Sequence, residues 1–130
     1  MNLSAIASIP GVLQACVTDD GGHLLANCGE LDPPSAAVLV LGHATLTAAA
    51  EMGRRFGAGD CIEIVQQHEG GCVYLHGLPR RCVLIVRCRD DSSISELRNA
   101  AMNLSPTNEI SVSTTGAFDV SSAMHAEPAW

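Results

Sequence analysis

The stretch VTDDGGHLLANC, residues 17–28, combines two aspartates, two glycines, a histidine and a cysteine, which are residue types that could bind a metal ion or a phosphate group. A calcium loop of the EF-hand type needs oxygen ligands at alternating positions and a closing glutamate, and that pattern is missing. A P-loop needs a lysine, and the chain contains none. The stretch therefore predicts a chain reversal between two strands.

Cysteines are a second possible source of chemistry, and the six of them are Cys16, Cys28, Cys61, Cys72, Cys82 and Cys88. They form no CxxC motif, and no cysteine pair is matched with a closely spaced histidine pair, so the spacing does not predict a zinc site. Most of them stand in apolar runs, where a free cysteine behaves as a small hydrophobic residue. We expect neither a metal nor a cofactor.

His43 precedes Thr47 and Glu51 by four and eight residues, a spacing that could form a proton relay along one helix face. The same spacing is found on ordinary solvated helix faces, and we favour that interpretation. No nucleophile in the sequence has a base beside it in a recognisable local signature. We therefore predict that the protein is not an enzyme.

Two arginine pairs, Arg54-Arg55 and Arg80-Arg81, could act as arginine fingers that stabilise charge during phosphoryl transfer. They could also be cations at a helix end and in a turn, where the helix dipole favours positive charge. We favour the second interpretation.

Composition limits the partners. The 130 residues are 47% hydrophobic, enough for the core of one domain. The formal net charge is −7, and the chain contains arginines but no lysine. A chain without a basic patch is not expected to bind nucleic acid or an anionic membrane. The start of the sequence has no pattern typical of a secretory signal, so we expect a cytoplasmic protein.

Hydrophobic patterning and turn residues divide the chain into alternating elements. A short first helix is limited to residues 2–8. The predicted strands are 11–18, 23–28, 61–67, 72–78 and 81–88, with one long helix over 33–56 and a last helix that runs from a capping box at Ser93 to about Leu104. Residues 1–104 are predicted to form one domain, and residues 105–130 a disordered tail or a loosely docked arm.

The long helix is apolar around most of its circumference. At 100° per residue, one face carries Val38, Leu41, Thr45, Ala48, Met52 and Phe56, and we expect this face to pack on the sheet. A neighbouring face carries the mostly smaller residues Leu39, Gly42, Leu46, Ala49 and Gly53, which would allow a second helix to approach closely. This excess of apolar surface predicts that two copies of the chain meet here. The polar strand 61–67 is expected at a sheet edge, where a second copy could pair with it.

Four segments in this order resemble the roadblock/dynein light-chain domain over residues 3–104. They are the IPGV segment at 9–12, the DDGG turn at 19–22, the RRFG segment that ends the long helix, and the VLIV strand at 83–86. The resemblance implies an α/β fold similar to profilin, with a five-stranded antiparallel sheet, a long helix on one face and the terminal helices on the other.

The resemblance also implies a function. Domains of this family form homodimers in which the long helices lie side by side and two edge strands join the sheets, and the dimers hold small Ras-like GTPases or motor components. Related bacterial proteins act beside a gliding-motility type GTPase, and some accelerate its GTP hydrolysis. The short first helix and the tail beyond residue 105 depart from the family pattern.

By this resemblance the expected dimer interface comprises Leu39, Gly42, His43, Leu46, Ala49, Ala50, Gly53, Ile62 and Ile64. The expected GTPase contacts are Thr47, Glu51, Arg54 and Arg55. Two alternatives stay open at this point: a structural scaffold subunit, and a small-ligand sensor with a pocket lined by Cys16, Cys82 or Tyr74.

Overall fold

The computed structural model describes residues 2–104, so the predicted tail lies outside the described residues. The elements are α1 (Ser4–Ala7), β1 (Val12–Thr18), β2 (Leu24–Gly29), α2 (Ala36–Arg55), β3 (Glu63–His68), β4 (Gly71–Leu78), a 3₁₀ turn (Pro79–Arg81), β5 (Cys82–Cys88) and α3 (Ile94–Met102). Every predicted element is present, and each boundary lies within three residues of its prediction.

The five strands form one antiparallel sheet in the order β2-β1-β5-β4-β3. The strand β5 is central and apolar on both faces, as a strand covered on two sides must be. The polar strand β3 is at one edge, and within residues 2–104 the one strand that it pairs with is β4. The predicted fold class and the predicted edge position of this strand are both confirmed.

Helices cover the two faces of the sheet unequally. The helices α1 and α3 pack on one face, and the core there includes Ile6, Tyr74, Leu84 and Leu97. The helix α2 lies alone across the other face, above a smaller core built from Cys16, Leu39, Leu46, Leu75, Val83 and Ile85. The terminal helices and the long helix are therefore on opposite faces, as the resemblance implied.

The DDGG segment is a turn between β1 and β2, as predicted. One Asp19 carboxylate oxygen accepts hydrogen bonds from the backbone N–H groups of Gly21 and His23, both at 2.9 Å. Gly22 has a φ of +81°, a backbone conformation that favours glycine. The aspartate side chain thus stabilises the chain reversal.

Two helix starts differ from their predictions. The helix α2 begins after Ser35, whose side chain accepts from the Val38 N–H at 3.4 Å, and not at residue 33. The two prolines at 33 and 34 explain the delay, because a residue before proline avoids the helical conformation. The predicted capping box at Ser93 is wrong: the Ser93 hydroxyl instead donates to the Pro10 carbonyl at 2.6 Å and ties α3 to the start of β1.

By length and composition alone, α2 is apolar enough to cross a membrane. A core helix of a folded domain can pass the same test, and α2 packs one side on the sheet.

Candidate functional site

The helix α2 packs on the sheet through a different face from the one that the sequence predicted. Leu39, Leu46 and Ala50 are fully buried against the sheet. Five of the six residues that were expected to face the sheet are instead exposed, with exposed fractions of 63% for Leu41 and 82% for Phe56, and Thr45 is half-buried. The predicted sheet-facing side of the helix is therefore wrong.

Small residues explain this orientation of the helix. A Cβ atom on Gly42 would lie 2.5 Å from the Cδ1 atom of Ile85 in β5, so the absence of a side chain lets the helix approach the sheet. A Cβ atom on Gly53 would collide with the carbonyl oxygen of Gly59 in the loop after the helix. The small residues thus allow contact with the chain's own sheet and loop, rather than with a second helix.

The exposed apolar face leaves a long stripe along α2, which we call the α2 stripe: Val38, Leu41, Thr45, Ala48, Met52 and Phe56. Its N-terminal half borders a groove. The groove is lined by Val38, Leu41, Gly42 and Thr45 on the helix side and by Gln66, Val73, Leu75 and Ile85 on the sheet side. The α2 stripe therefore adjoins the edge of the sheet that is formed by β3 and β4.

The edge strand β3 completes this surface. One edge of β3 is hydrogen-bonded to β4, and its other edge pairs with no strand within residues 2–104. Ile62, just before the strand, is 68% exposed, and Ile64 packs against the core beneath α2. Val65 stands opposite Tyr74 in the strand register and therefore faces the other side of the sheet. An apolar helix flank and an open strand edge are thus neighbours on one surface.

The predicted interface residues fall into two groups. Leu39, Leu46 and Ala50 are buried within the chain's own core, so they have no surface to offer a partner, and their assignment to an interface is corrected on that ground. The other predicted interface residues keep some exposed surface: Gly42, His43, Ala49, Gly53, Ile62 and Ile64. Their role in a dimer stays a prediction.

The predicted GTPase contacts lie together at the C-terminal half of α2. Glu51 accepts hydrogen bonds from Arg55 at 2.8 Å and from Arg54 at 3.2 Å, and Arg54 also donates to Asp60 at 2.7 Å. These hydrogen bonds lower the pKa of Glu51, and the one from Arg55 contributes most. Both guanidinium groups are thus engaged on the helix surface.

The suggested relay from His43 to Glu51 does not form a continuous path. The Thr47 hydroxyl lies 3.5 Å from Nδ1 of His43, but it donates to the backbone carbonyl of His43 at 2.9 Å, which is the ordinary back-bond of a helical threonine. Thr47 itself is exposed and remains a surface residue near the two arginines.

A partly buried polar network on the opposite face was not anticipated from the sequence. Arg98 in α3 donates to both carboxylate oxygens of Glu63, with N···O distances of 2.6–3.0 Å. The Tyr74 hydroxyl donates to Glu63 at 2.8 Å and lies 2.8 Å from Nδ1 of His76. Tyr74 and His76 stand two residues apart on one strand, and this spacing places both on the same face of the sheet.

This network perturbs the pKa values of its members. The hydrogen bond from Arg98 lowers the pKa of Glu63. Burial raises the pKa of Tyr74 and lowers that of His76, so the tyrosine stays protonated and the histidine favours its neutral form.

A cavity of about 400 Å³ opens beside the N-terminal end of α2. Cys16 is one of its lining residues, as the small-ligand alternative suggested, but Tyr74 and Cys82 belong to the core on the opposite face. Burial raises the pKa of Cys16 to about 11, so its thiol stays protonated at neutral pH. Cys16, Cys28, Cys61, Cys72 and Cys88 form no disulfide, and among residues 2–104 no three metal-ligating side chains lie close enough to hold an ion.

Comparisons with known proteins give the fold but no close relative. No protein-family model matches the sequence, and no curated protein does. Among solved structures, a Roadblock/LC7 domain from Streptomyces avermitilis matches with 22% identity and a TM-score of 0.59, over 66% of this chain and 73% of that one.

Two structures of the protein MglB also match. The gliding protein MglB from Thermus thermophilus has 17% identity, a TM-score of 0.64 and coverage of 77% of both chains. A structure described as MglB with a tetrameric arrangement has 18% identity and a TM-score of 0.67, over 77% of this chain and 76% of that one. These similarities, together with the sheet order and the placement of the helices, show that the chain has the roadblock fold, as the sequence resemblance indicated.

Proposed function

We propose that this protein is a homodimeric regulator or adaptor that binds a small Ras-like GTPase and modulates its GTP hydrolysis. The observation that carries the proposal is the continuous surface formed by the α2 stripe and the open edge of β3. Neither feature suits a surface that is permanently exposed to water, because both favour association with another chain.

The energetics favour a symmetric pair of chains. Five large apolar side chains are exposed on this surface: Val38, Leu41, Met52, Phe56 and Ile62. Full burial of one such side chain contributes about 1.5–3 kcal/mol. A two-fold interface buries these side chains in both copies at once. The resulting gain in free energy is of the order needed to offset the roughly 4–15 kcal/mol that association costs.

The geometry of a strand edge restricts how two copies can meet. A two-fold axis perpendicular to the sheet pairs the two β3 strands antiparallel and keeps both α2 helices on the same face. The helices then run antiparallel, so the C-terminal half of one stripe, with Phe56, faces the N-terminal half of the other, with Val38. The pair would present one ten-stranded sheet covered by two helices.

The GTPase partner is inferred from the family resemblance and from the similarity to a gliding protein. In the proposed dimer, the outer faces of both α2 helices carry Thr47, Glu51, Arg54 and Arg55 away from the sheet, where a partner can reach them. Because the two arginines already pair with acidic groups, we propose that they contribute to docking and do not act as arginine fingers. We further propose a cytoplasmic protein that needs no cofactor, nucleic acid or membrane for this role.

The proposal is tested with a purified small Ras-like GTPase from the same organism, loaded either with GDP or with a GTP analogue that cannot be hydrolysed. We expect binding that differs between the two nucleotide states, with two copies of this chain in each complex. A scaffold subunit of the same fold would self-associate without distinguishing the nucleotide. Equal binding, or no binding, in both states would contradict the GTPase half of the proposal.

A further inference from the structure

The network of Glu63, Tyr74, His76 and Arg98 lies at one particular place in the fold. Glu63 is the first residue of the edge strand β3, and it stands opposite His76 in the strand register. The segment before it, residues 57–62, is irregular and contains two glycines with positive φ. The network thus holds the point where the chain enters the edge strand.

The hydrogen-bonding capacity of each group fixes the direction of the network. Tyr74 has a single hydroxyl hydrogen, and the neighbouring carboxylate is an acceptor only, so Tyr74 donates to Glu63 at 2.8 Å. The Tyr74 oxygen must then accept from His76, which places the proton of the neutral imidazole on Nδ1. Glu63 therefore receives donors from β4 and from α3 at once.

The helix α3 is a rigid support for this contact. Leu97 and Ala101 are buried in the core on either side of Arg98 along the helix. The guanidinium group binds both oxygens of Glu63, a two-pronged geometry that fixes orientation as well as distance. An edge strand that is bonded on one side only would otherwise fray at its first residues.

We propose that Arg98 is a positioning residue that, through Glu63, holds the start of β3 in the extended geometry that a second copy's β3 strand requires. This inference rests on the proposed function, because it assigns a role within the proposed self-association. It identifies α3 as the element that controls the pairing edge from the opposite face of the sheet. A change that displaces α3 would weaken association without touching the interface.

The test combines amide hydrogen exchange with sedimentation equilibrium on the full chain. Arg98→Gln should speed exchange at residues 63–66 by about tenfold, with little change in β1 and β5, and should weaken self-association by about tenfold. Arg98→Lys should cause smaller changes in both exchange and self-association, because the positive charge remains. Arg89→Gln is the matched control, since it removes an exposed arginine after β5 that takes no part in the network.

A double-mutant cycle separates positioning from general stabilisation. In a Glu63→Gln background, Arg98→Gln should have little further effect on either measurement if it acts through Glu63. Undiminished effects in that background, or unchanged exchange in Arg98→Gln alone, would overturn the inference whatever the oligomeric state. If Arg98→Gln speeds exchange but the wild-type chain proves to be monomeric, the proposed self-association is contradicted, while the positioning of β3 by Arg98 is supported.

Discussion

Gly42 in α2 lies directly against Ile85 in the central strand, so close that a Cβ atom on the glycine would come within 2.5 Å of the isoleucine Cδ1. This contact sets the rotation of α2 on the sheet. It buries Leu39 and Leu46, and it turns Leu41, Met52 and Phe56 outward.

Gly42→Leu should therefore lower the free energy of unfolding by about 1–3 kcal/mol, because the larger side chain has no space between the helix and Ile85. Urea unfolding of the purified variant measures the change. Ala48→Leu is the matched control, since it adds a similar volume on the exposed α2 stripe and should leave stability nearly unchanged. Equal stability of the two variants would show that Gly42 does not face the sheet.

Leu41→Asp should weaken self-association strongly while the fold persists, because Leu41 is 63% exposed and lies in the α2 stripe. Sedimentation velocity gives the association state, and circular dichroism checks the fold. Leu25→Asp is a suitable control because Leu25 is an exposed leucine on β2, at the other edge of the sheet. If both variants associate as the wild type does, the α2 stripe is not the interface.

Stability should fall as the pH drops below about 6.5, the ordinary pKa of histidine. Burial lowers the pKa of His76 in the folded chain, so in this pH range the unfolded chain binds more protons than the folded one. Stability then rises with pH between the folded and the unfolded pKa, and the contribution is complete above the unfolded value.

Urea unfolding at pH values about one unit below and above 6.5 measures this slope. His76→Asn should flatten it, because the amide can still donate to Tyr74 but does not titrate. A slope that persists undiminished in His76→Asn would assign the titration to another group.

Replacing Arg54 and Arg55 together by alanine should leave any acceleration of GTP hydrolysis within about twofold of wild type, whereas loss of an arginine finger costs about 10³–10⁵-fold. Single-turnover hydrolysis by the bound GTPase measures the rate, and saturation of the complex must be confirmed first. A loss of more than about a hundredfold with binding intact would revive the finger interpretation.

Local signals predicted most of the fold. Turn residues and apolar runs predicted the element order, and the polar character of residues 61–67 predicted the edge position of β3. The rotation of α2 could not be predicted in the same way, because this helix is apolar around most of its circumference and two faces compete. Only the contacts of Gly42 and Gly53 decide between those faces, and both contacts are formed with distant parts of the fold.

The polar network was missed for a related reason. Its members come from β3, β4 and α3, and no local spacing joins Arg98 to Glu63, 35 residues away. The alternation of Tyr74 and His76 on a single strand was the one available signal, and it indicates two polar-tipped side chains on a face that is otherwise apolar. The failed capping box at Ser93 has a similar cause, since its hydroxyl is used by Pro10, 83 residues away.

The most direct test of self-association through α2 and β3 is the molar mass of the purified wild-type chain, measured by sedimentation equilibrium at micromolar concentration. The account predicts 27 kDa, twice the 13.5 kDa of one chain, and a return to the single-chain mass in Leu41→Asp. A wild-type mass of 13.5 kDa across the whole concentration range would contradict it.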